Sequence, residues 1–200
     1  MPSTPPNTRP ARIIMSSPWN ERLPTRMEIG GAEYEIRSDY RAALDICAAL
    51  SDPELDGQER SIAALTIFYP DLANIPPEHY QEAVEQCLRF ISGGGEESPH
   101  RAPKLVDWEQ DFQSIAAPIN RVMGLEVRAV EYMHWWTFLA AFYEIGDCTF
   151  AQIVRVRDGL ARGKTLDKQD QEWYRNNRHL VDFKRKYTRE EDERAGAWGF

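Results

Sequence analysis

The sequence has few residues of the kinds that build metal centres and disulfide frameworks. Its three cysteines, Cys47, Cys87 and Cys148, lie far apart, and no C-x-x-C pair occurs. An odd number of widely spaced cysteines is typical of small buried side chains rather than of a disulfide framework. The four histidines show no metal-ligand spacing among themselves or with cysteine. We therefore expect no bound metal and no cofactor.

Long apolar runs and phosphate-binding loops are also missing. No stretch of 18 apolar residues occurs, so we expect no membrane-spanning helix. The tripeptide Gly163-Lys164-Thr165 lacks the first glycine of a phosphate-binding loop and follows no buried strand pattern. No serine, cysteine or second histidine lies near His134 in the sequence to complete a nucleophilic set. These absences predict a protein that is not an enzyme.

Basic residues are scarce in the front of the chain and more frequent at its end. The net charge is −8, and residues 51–100 contain 10 acidic but only 2 basic side chains, which disfavours nucleic acid as a partner of this part. Residues 151–200 reverse the balance, with 12 basic and 9 acidic side chains. The candidate partner-binding residues in this part are Arg175, Arg178, Lys184, Arg185 and Lys186. The alternative is a solvated helix end that faces the acidic half of the same protein.

What the sequence does contain is helical periodicity, preceded by one hairpin signal. Two short alternating runs flank Gly30-Gly31 within residues 23–37, and glycine readily adopts the positive φ angles of a tight hairpin turn. Apolar residues at helical spacing predict helices over 38–50, 58–69, 78–91, 107–124, 131–144, 149–163 and 167–179. Pro118 is expected to kink or split the fourth of these helices.

The clearest break in the pattern is SGGGEESPHRAPK, which has three consecutive glycines and two prolines. The predicted organisation is a disordered tail over 1–18, a hairpin plus helical module over 19–91, a flexible linker over 92–105, an aromatic-core helical module over 106–188 and a frayed tail over 189–200. The predicted fold class is mainly α, with two small helical modules and an N-terminal β-hairpin.

The segment EYMHWWTFLAAFYEIG at residues 131–146 is rich in aromatic side chains. On a helix, its polar and small residues would form one narrow stripe made of Glu131, His134, Thr137, Ala141 and Glu144. A helix that is apolar around the rest of its circumference is buried. The predicted core residues of the second half are Trp135, Trp136, Phe138 and Phe142. We expect His134, on the polar stripe, to be solvent-facing or hydrogen-bonded rather than a ligand or base.

Three of these stretches together carry a family resemblance. The hairpin from Ile29 to Ile36 leads into Asp39-Tyr40-Arg41, MHWWTFLAAF covers Met133 to Phe142, and CTFAQIVRVR covers Cys148 to Arg157. In this order they resemble the gene-product-fifteen family of tailed bacteriophages, over roughly residues 19–190. The proline at position 118 departs from the family pattern.

The resemblance implies an assembly role, because genes of this family sit beside those for the tail-tube and tape-measure proteins. It implies a non-enzymatic tail assembly chaperone that binds the tape-measure protein and recruits tail-tube subunits in the host cytoplasm. Self-association through opposite charges is a further expectation. The alternatives are a structural component of the mature phage tail and a nucleic-acid-binding regulator that uses the basic C-terminal segment.

Overall fold

The computed structural model describes residues 22–95 and 103–184. Its elements are β1 (Arg26–Ile29), β2 (Ala32–Glu35), α1 (Tyr40–Leu50), α2 (Gly57–Phe68), α3 (Tyr80–Ile91), α4 (Trp108–Met123), α5 (Trp135–Tyr143), α6 (Thr149–Ala161) and α7 (Lys168–Val181). Short 3-10 turns cover Leu72–Asn74, Pro77–His79 and Val127–Ala129. The prediction of a mainly α fold with an N-terminal hairpin is confirmed. The predicted tails over 1–18 and 189–200, and the middle of the predicted linker, lie outside the described residues.

The hairpin folds as its glycines predict and is attached to helix α3. Strands β1 and β2 pair antiparallel, with Met27 opposite Tyr34. Gly30 and Gly31 turn the chain with φ angles of 57° and 78°, a region that favours glycine. The Gly30 N–H donates to the Glu82 carboxylate of α3 at 3.0 Å. This attachment matters because an isolated two-stranded hairpin is only marginally stable.

Helix α4 continues through Pro118 as one element, so it is not split there, and the kink expected at this proline stays a prediction. Asp107 caps its start, and Gly124, with a φ of 68°, ends it in the left-handed conformation. Pro118 is itself buried, as are Ile115 and Ile119 on the same helix. Burial of this apolar face stabilises the helix enough to offset the backbone hydrogen bond that proline removes.

Helix α5 is shorter than the aromatic segment that contains it. Its first residue is Trp135, and the residues before it pair with the chain that precedes α1. The Tyr40 N–H donates to the Met133 carbonyl at 2.9 Å, and the Trp135 N–H donates to the Ser38 carbonyl at 2.8 Å. The Met133 carbonyl and the Trp135 N–H are used in this pairing, whereas a helix that began at residue 131 would need both for its own hydrogen bonds. The predicted polar stripe, which requires a helix from residue 131, is therefore wrong.

One hydrophobic core joins the hairpin with both helical halves. The indole N–H groups of Trp135 and Trp136 donate to the carbonyls of Ile91 and Phe90, at 2.9 and 2.8 Å. Of the predicted core residues, the fully buried ones are Trp135 and Phe138, and the half-buried ones are Trp136 and Phe142. The aromatic helix thus packs against both halves. The predicted division into two helical modules stays a prediction.

Both ends of the predicted linker are packed against the fold. Gly93 and Gly94 have φ angles of 78° and 82°, and a side chain added at Gly94 would meet the Trp136 ring at 2.9 Å. At the other end, the buried Lys104 amine lies 3.7 Å from the Asp107 carboxylate. Only residues 96–102 of this stretch fall outside the described chain.

The buried Arg157 is one of the residues that hold the end of α7 against the rest of the fold. Arg157 of α6 forms a bidentate ion pair with Asp111 of α4, at 2.5 and 3.0 Å. The two side chains are 3% and 2% exposed. The same guanidinium donates to the carbonyls of Leu180 and Val181 and lies 4.1 Å from the ring centre of Phe183. Arg157 therefore joins α4, α6 and the end of α7.

Candidate partner-binding groove

An open, mainly apolar groove of about 540 Å³ runs between helices α1 and α4. On both helices, the residues that form its floor are spaced four positions apart. They are Tyr40, Leu44 and Ala48 on α1 and Trp108 and Phe112 on α4. Residues four apart share one face of a helix. The rim is charged and consists of Arg41, Asp45, Glu109 and Arg128.

The floor of the groove is positioned by the aromatic helix behind it. The Tyr40 ring stacks on Phe138 with centroids 4.7 Å apart and planes 2° from parallel. Its hydroxyl donates to the Val127 carbonyl at 3.3 Å. The Trp108 ring lies against Phe142, with centroids 4.9 Å apart. Aromatic contacts of this kind, stacked at Tyr40 and tilted at Trp108, fix ring orientation, so α5 acts as a scaffold for the groove.

The two cations on the rim already have anionic or carbonyl partners. Arg41 donates to the Asp39 carboxylate at 3.2 Å and to the Val130 carbonyl at 2.7 Å. Arg128 donates to Glu126 at 2.7 Å. The side-chain hydrogen bond from Arg128 lowers the pKa of Glu126 to about 2. Both arginines are therefore held in place before any partner arrives.

Asp45 differs from these rim residues. Within residues 22–95 and 103–184, its carboxylate has no hydrogen bond or ion pair. Desolvation by neighbouring atoms raises its pKa, although the side chain remains exposed. Asp45 and Arg41 also line a second open cavity of about 890 Å³, together with Arg37 and Tyr132. Asp45 therefore stands on a ridge between two concave surfaces.

The groove was not among the sites predicted from sequence, and the predicted basic cluster lies elsewhere. Arg175 is exposed on α7, and Arg178 pairs with Asp182 at 3.2 Å. The exposed Lys184 donates its backbone N–H to the Gln110 side chain at 2.9 Å. None of these three lines the groove. The other two members of the cluster, Arg185 and Lys186, lie outside the described residues.

The described titratable groups give no indication of an activated nucleophile. Burial raises the pKa of the Cys47 thiol to about 12 and also raises that of Cys87, so both favour the unreactive thiol form. No group of three or more metal-ligating side chains occurs among the described residues. No helix in the described part of the chain is long and apolar enough to cross a membrane.

Fold and groove together define a small, mainly α protein with an N-terminal hairpin and a preformed concave surface between two helices. The chain belongs to the bacteriophage Gp15 protein family, whose family model matches residues 19–183. Membership indicates a structural or assembly protein of a phage. Searches of curated proteins and of solved structures gave no match.

Proposed function

We propose that this protein is a non-enzymatic tail assembly chaperone, which binds the tape-measure protein and recruits tail-tube subunits in the host cytoplasm. Membership of the Gp15 family supports a role in building the phage particle. The groove between α1 and α4 supports a role in binding, and it is the observation on which the proposal rests.

A groove of this kind suits a helical partner. Its apolar floor repeats with the spacing of a helix, and amphipathic helices bind by placing their apolar face in such grooves. The Tyr40 and Trp108 rings of the floor are already ordered by aromatic contacts with α5, so binding costs little of their side-chain entropy. A tape-measure protein that is long and helical would offer such a face to several copies of the chaperone.

The shared core means that two partners must use two surfaces of one body rather than two separate modules. The groove serves the tape-measure protein in this proposal. The basic end of the chain serves contacts with tail-tube subunits or with the acidic surface of another copy. Reversing Lys184, Arg185 and Lys186 to glutamate should therefore weaken association in light scattering while leaving tape-measure binding intact.

Co-expression with the tape-measure protein of the same phage, followed by affinity pull-down, tests the proposal. Ala48→Gln adds a side chain inside the groove and removes no apolar contact, so recovery of the tape-measure protein should fall at least about tenfold. The matched control is Ala140→Gln, because Ala140 is an exposed alanine of α5 outside the groove. Equal recovery with both variants would exclude the groove as the binding surface.

The protein composition of purified virions distinguishes a chaperone from a structural tail component. A chaperone leaves before the tail is complete, so mass spectrometry of intact virions should detect the tape-measure and tube proteins without this chain. Recovery of the chain in fixed proportion to the tube protein would instead support a permanent structural role.

A further inference from the structure

We infer that the groove selects an amphipathic helix that carries a lysine or arginine beside its apolar stripe, and that Asp45 is the residue that receives this cation. The identity of the partner as the tape-measure protein rests on the proposed function. The chemistry of the recognised segment follows from the groove itself.

The apolar part of the groove sets the length of the recognised stripe. Tyr40 and Ala48 lie eight positions apart on α1, with Leu44 between them, which is about 12 Å at 1.5 Å per residue. Trp108 and Phe112 form the opposite wall with the same four-residue spacing. A bound helix therefore fits with about two turns in contact, presenting apolar residues at positions i, i+4 and i+7 or i+8.

The rim sets the charge of that helix. Arg41 is held by Asp39, and Arg128 is held by Glu126, so an incoming carboxylate would compete with partners that are already bound. Asp45 has no such partner among the described residues. An incoming cation would gain a new ion pair there without breaking an existing one, which favours basic over acidic side chains.

The position of Asp45 also determines where the cation lies on the partner. Leu44 belongs to the apolar floor, and Asp45 is the next residue on α1, facing the rim. A basic side chain next to the partner's apolar stripe would lay its aliphatic stem along this edge and place its charge on the carboxylate. A lysine on the solvent-facing side of the partner helix would not reach it.

Overlapping 20-residue peptides that span the tape-measure protein of the same phage provide the probe. Their affinity for the full-length chain is measured by fluorescence anisotropy. We expect the peptides that bind to be amphipathic, with a lysine or arginine adjacent to the apolar stripe. Ala48→Gln should abolish binding, whereas Asp45→Asn and Asp45→Lys should weaken it about tenfold or more.

A charge-swap experiment distinguishes recognition of the peptide's cation by Asp45 from a nonspecific loss of peptide binding. Changing the adjacent lysine of the best peptide to glutamate should weaken its binding to the parent chain and restore binding to Asp45→Lys. The control variant is Asp147→Lys, which makes the same charge change at an exposed aspartate outside the groove and should bind like the parent. Raising the salt concentration should reduce the difference between the parent and Asp45→Asn.

The outcomes distinguish this inference from the proposed function. Some peptides could lose binding to Ala48→Gln but bind the Asp45 variants as tightly as the parent. That result would overturn the inference without contradicting the proposed function. Failure of every peptide and of the intact tape-measure protein to bind would overturn both. If sedimentation shows that Ala48→Gln converts an assembled parent chain into monomers, the groove holds a second copy and the inference is again overturned.

Discussion

Asp39 and His134, which are the N-caps of α1 and α5, face each other in an antiparallel β-bridge. Two helices that begin far apart in the sequence are thereby fixed side by side. His134 Nδ1 accepts a hydrogen bond from the Trp136 N–H, and Nε2 lies 3.0 Å from the Pro24 carbonyl. The neutral ring with its proton on Nε2 satisfies both contacts. His134 is therefore hydrogen-bonded as expected, but it is 5% exposed rather than solvent-facing.

His134→Ala should destabilise the fold by about 1–3 kcal/mol, because it removes an N-cap and leaves buried polar groups without partners. A solvated polar stripe would have made the same change nearly neutral. His134→Asn should restore part of the loss, since its side-chain oxygen can accept from the Trp136 N–H. Urea unfolding monitored by tryptophan fluorescence measures both variants. An alanine variant as stable as the parent would contradict the capping role.

The same contacts predict a dependence of stability on pH. Burial lowers the pKa of His134 below its usual value, and the contact with the Pro24 carbonyl offsets this only in part. The unfolded chain therefore binds this proton more readily, with a pKa of about 6.5. The contribution to stability is complete above that value and is lost as the pH falls below it.

The free energy of unfolding should therefore fall less between pH 7.5 and pH 5.5 in His134→Asn than in the parent. His179→Asn is the control, because it makes the same substitution at an exposed histidine of α7. Parallel curves for all three proteins would mean that His134 does not contribute to the acid sensitivity.

The two adjacent tryptophans of α5 should differ in their contributions to stability. Trp135 is fully buried, so Trp135→Ala should cost about 3–5 kcal/mol. Trp136 is half-buried, so Trp136→Ala should cost less, about 1–3 kcal/mol. Tyr143→Ala is the control and should stay within about 0.5 kcal/mol, because that ring is 65% exposed. Equal losses at both tryptophans, measured by urea unfolding, would contradict this burial difference.

Breaking the buried ion pair should loosen the C-terminal end of the fold. Arg157→Met leaves the Asp111 carboxylate buried without its cation, which should cost about 3–5 kcal/mol. Arg157→Met combined with Asp111→Leu should recover part of this loss, because no isolated charge remains. Thermal unfolding compares the two proteins, and hydrogen exchange at residues 180–184 reports the loss of the anchor. A single variant no less stable than the double variant would contradict the pairing argument.

Local sequence signals were sufficient to predict the hairpin and the helices, but not the contacts between them. Gly30-Gly31 predicted the hairpin because the φ angles of its turn are a local requirement. The start of α5 was missed, because it depends on pairing with Ser38 and Tyr40 about 95 residues earlier in the chain. Periodicity does not reveal such pairing.

The groove, too, could not be predicted from local sequence patterns. Apolar residues at helical spacing predicted helix α1, but the structure divides the apolar residues of this helix between two environments. Ala43, Ile46 and Cys47 are buried in the core, whereas Leu44 and Ala48 are half-buried and line the groove. Which part of an apolar face stays open depends on where α4 crosses it, and no local pattern specifies that crossing.

Cleavage of the linker should nick the protein without separating its halves. The glycine- and proline-rich composition of residues 92–104 predicts the most protease-sensitive stretch of the central chain. Its ends are packed, through Gly94 on one side and the buried Lys104 on the other, so we expect cutting within residues 96–102. Fragments near 19–91 and 105–188 should then elute together on size-exclusion chromatography, because one core joins them.

A site for a specific protease, inserted after Glu97, makes this experiment independent of other cleavage sites. The nicked protein should keep its helical circular dichroism and should separate into two fragments only in denaturant, since Trp135 and Trp136 donate hydrogen bonds to the end of α3. Trp135→Ala should weaken this association, and Tyr143→Ala should not. Two fragments that elute separately while each remains helical would show that the halves fold independently. That result would support a mechanism in which each half binds a different partner.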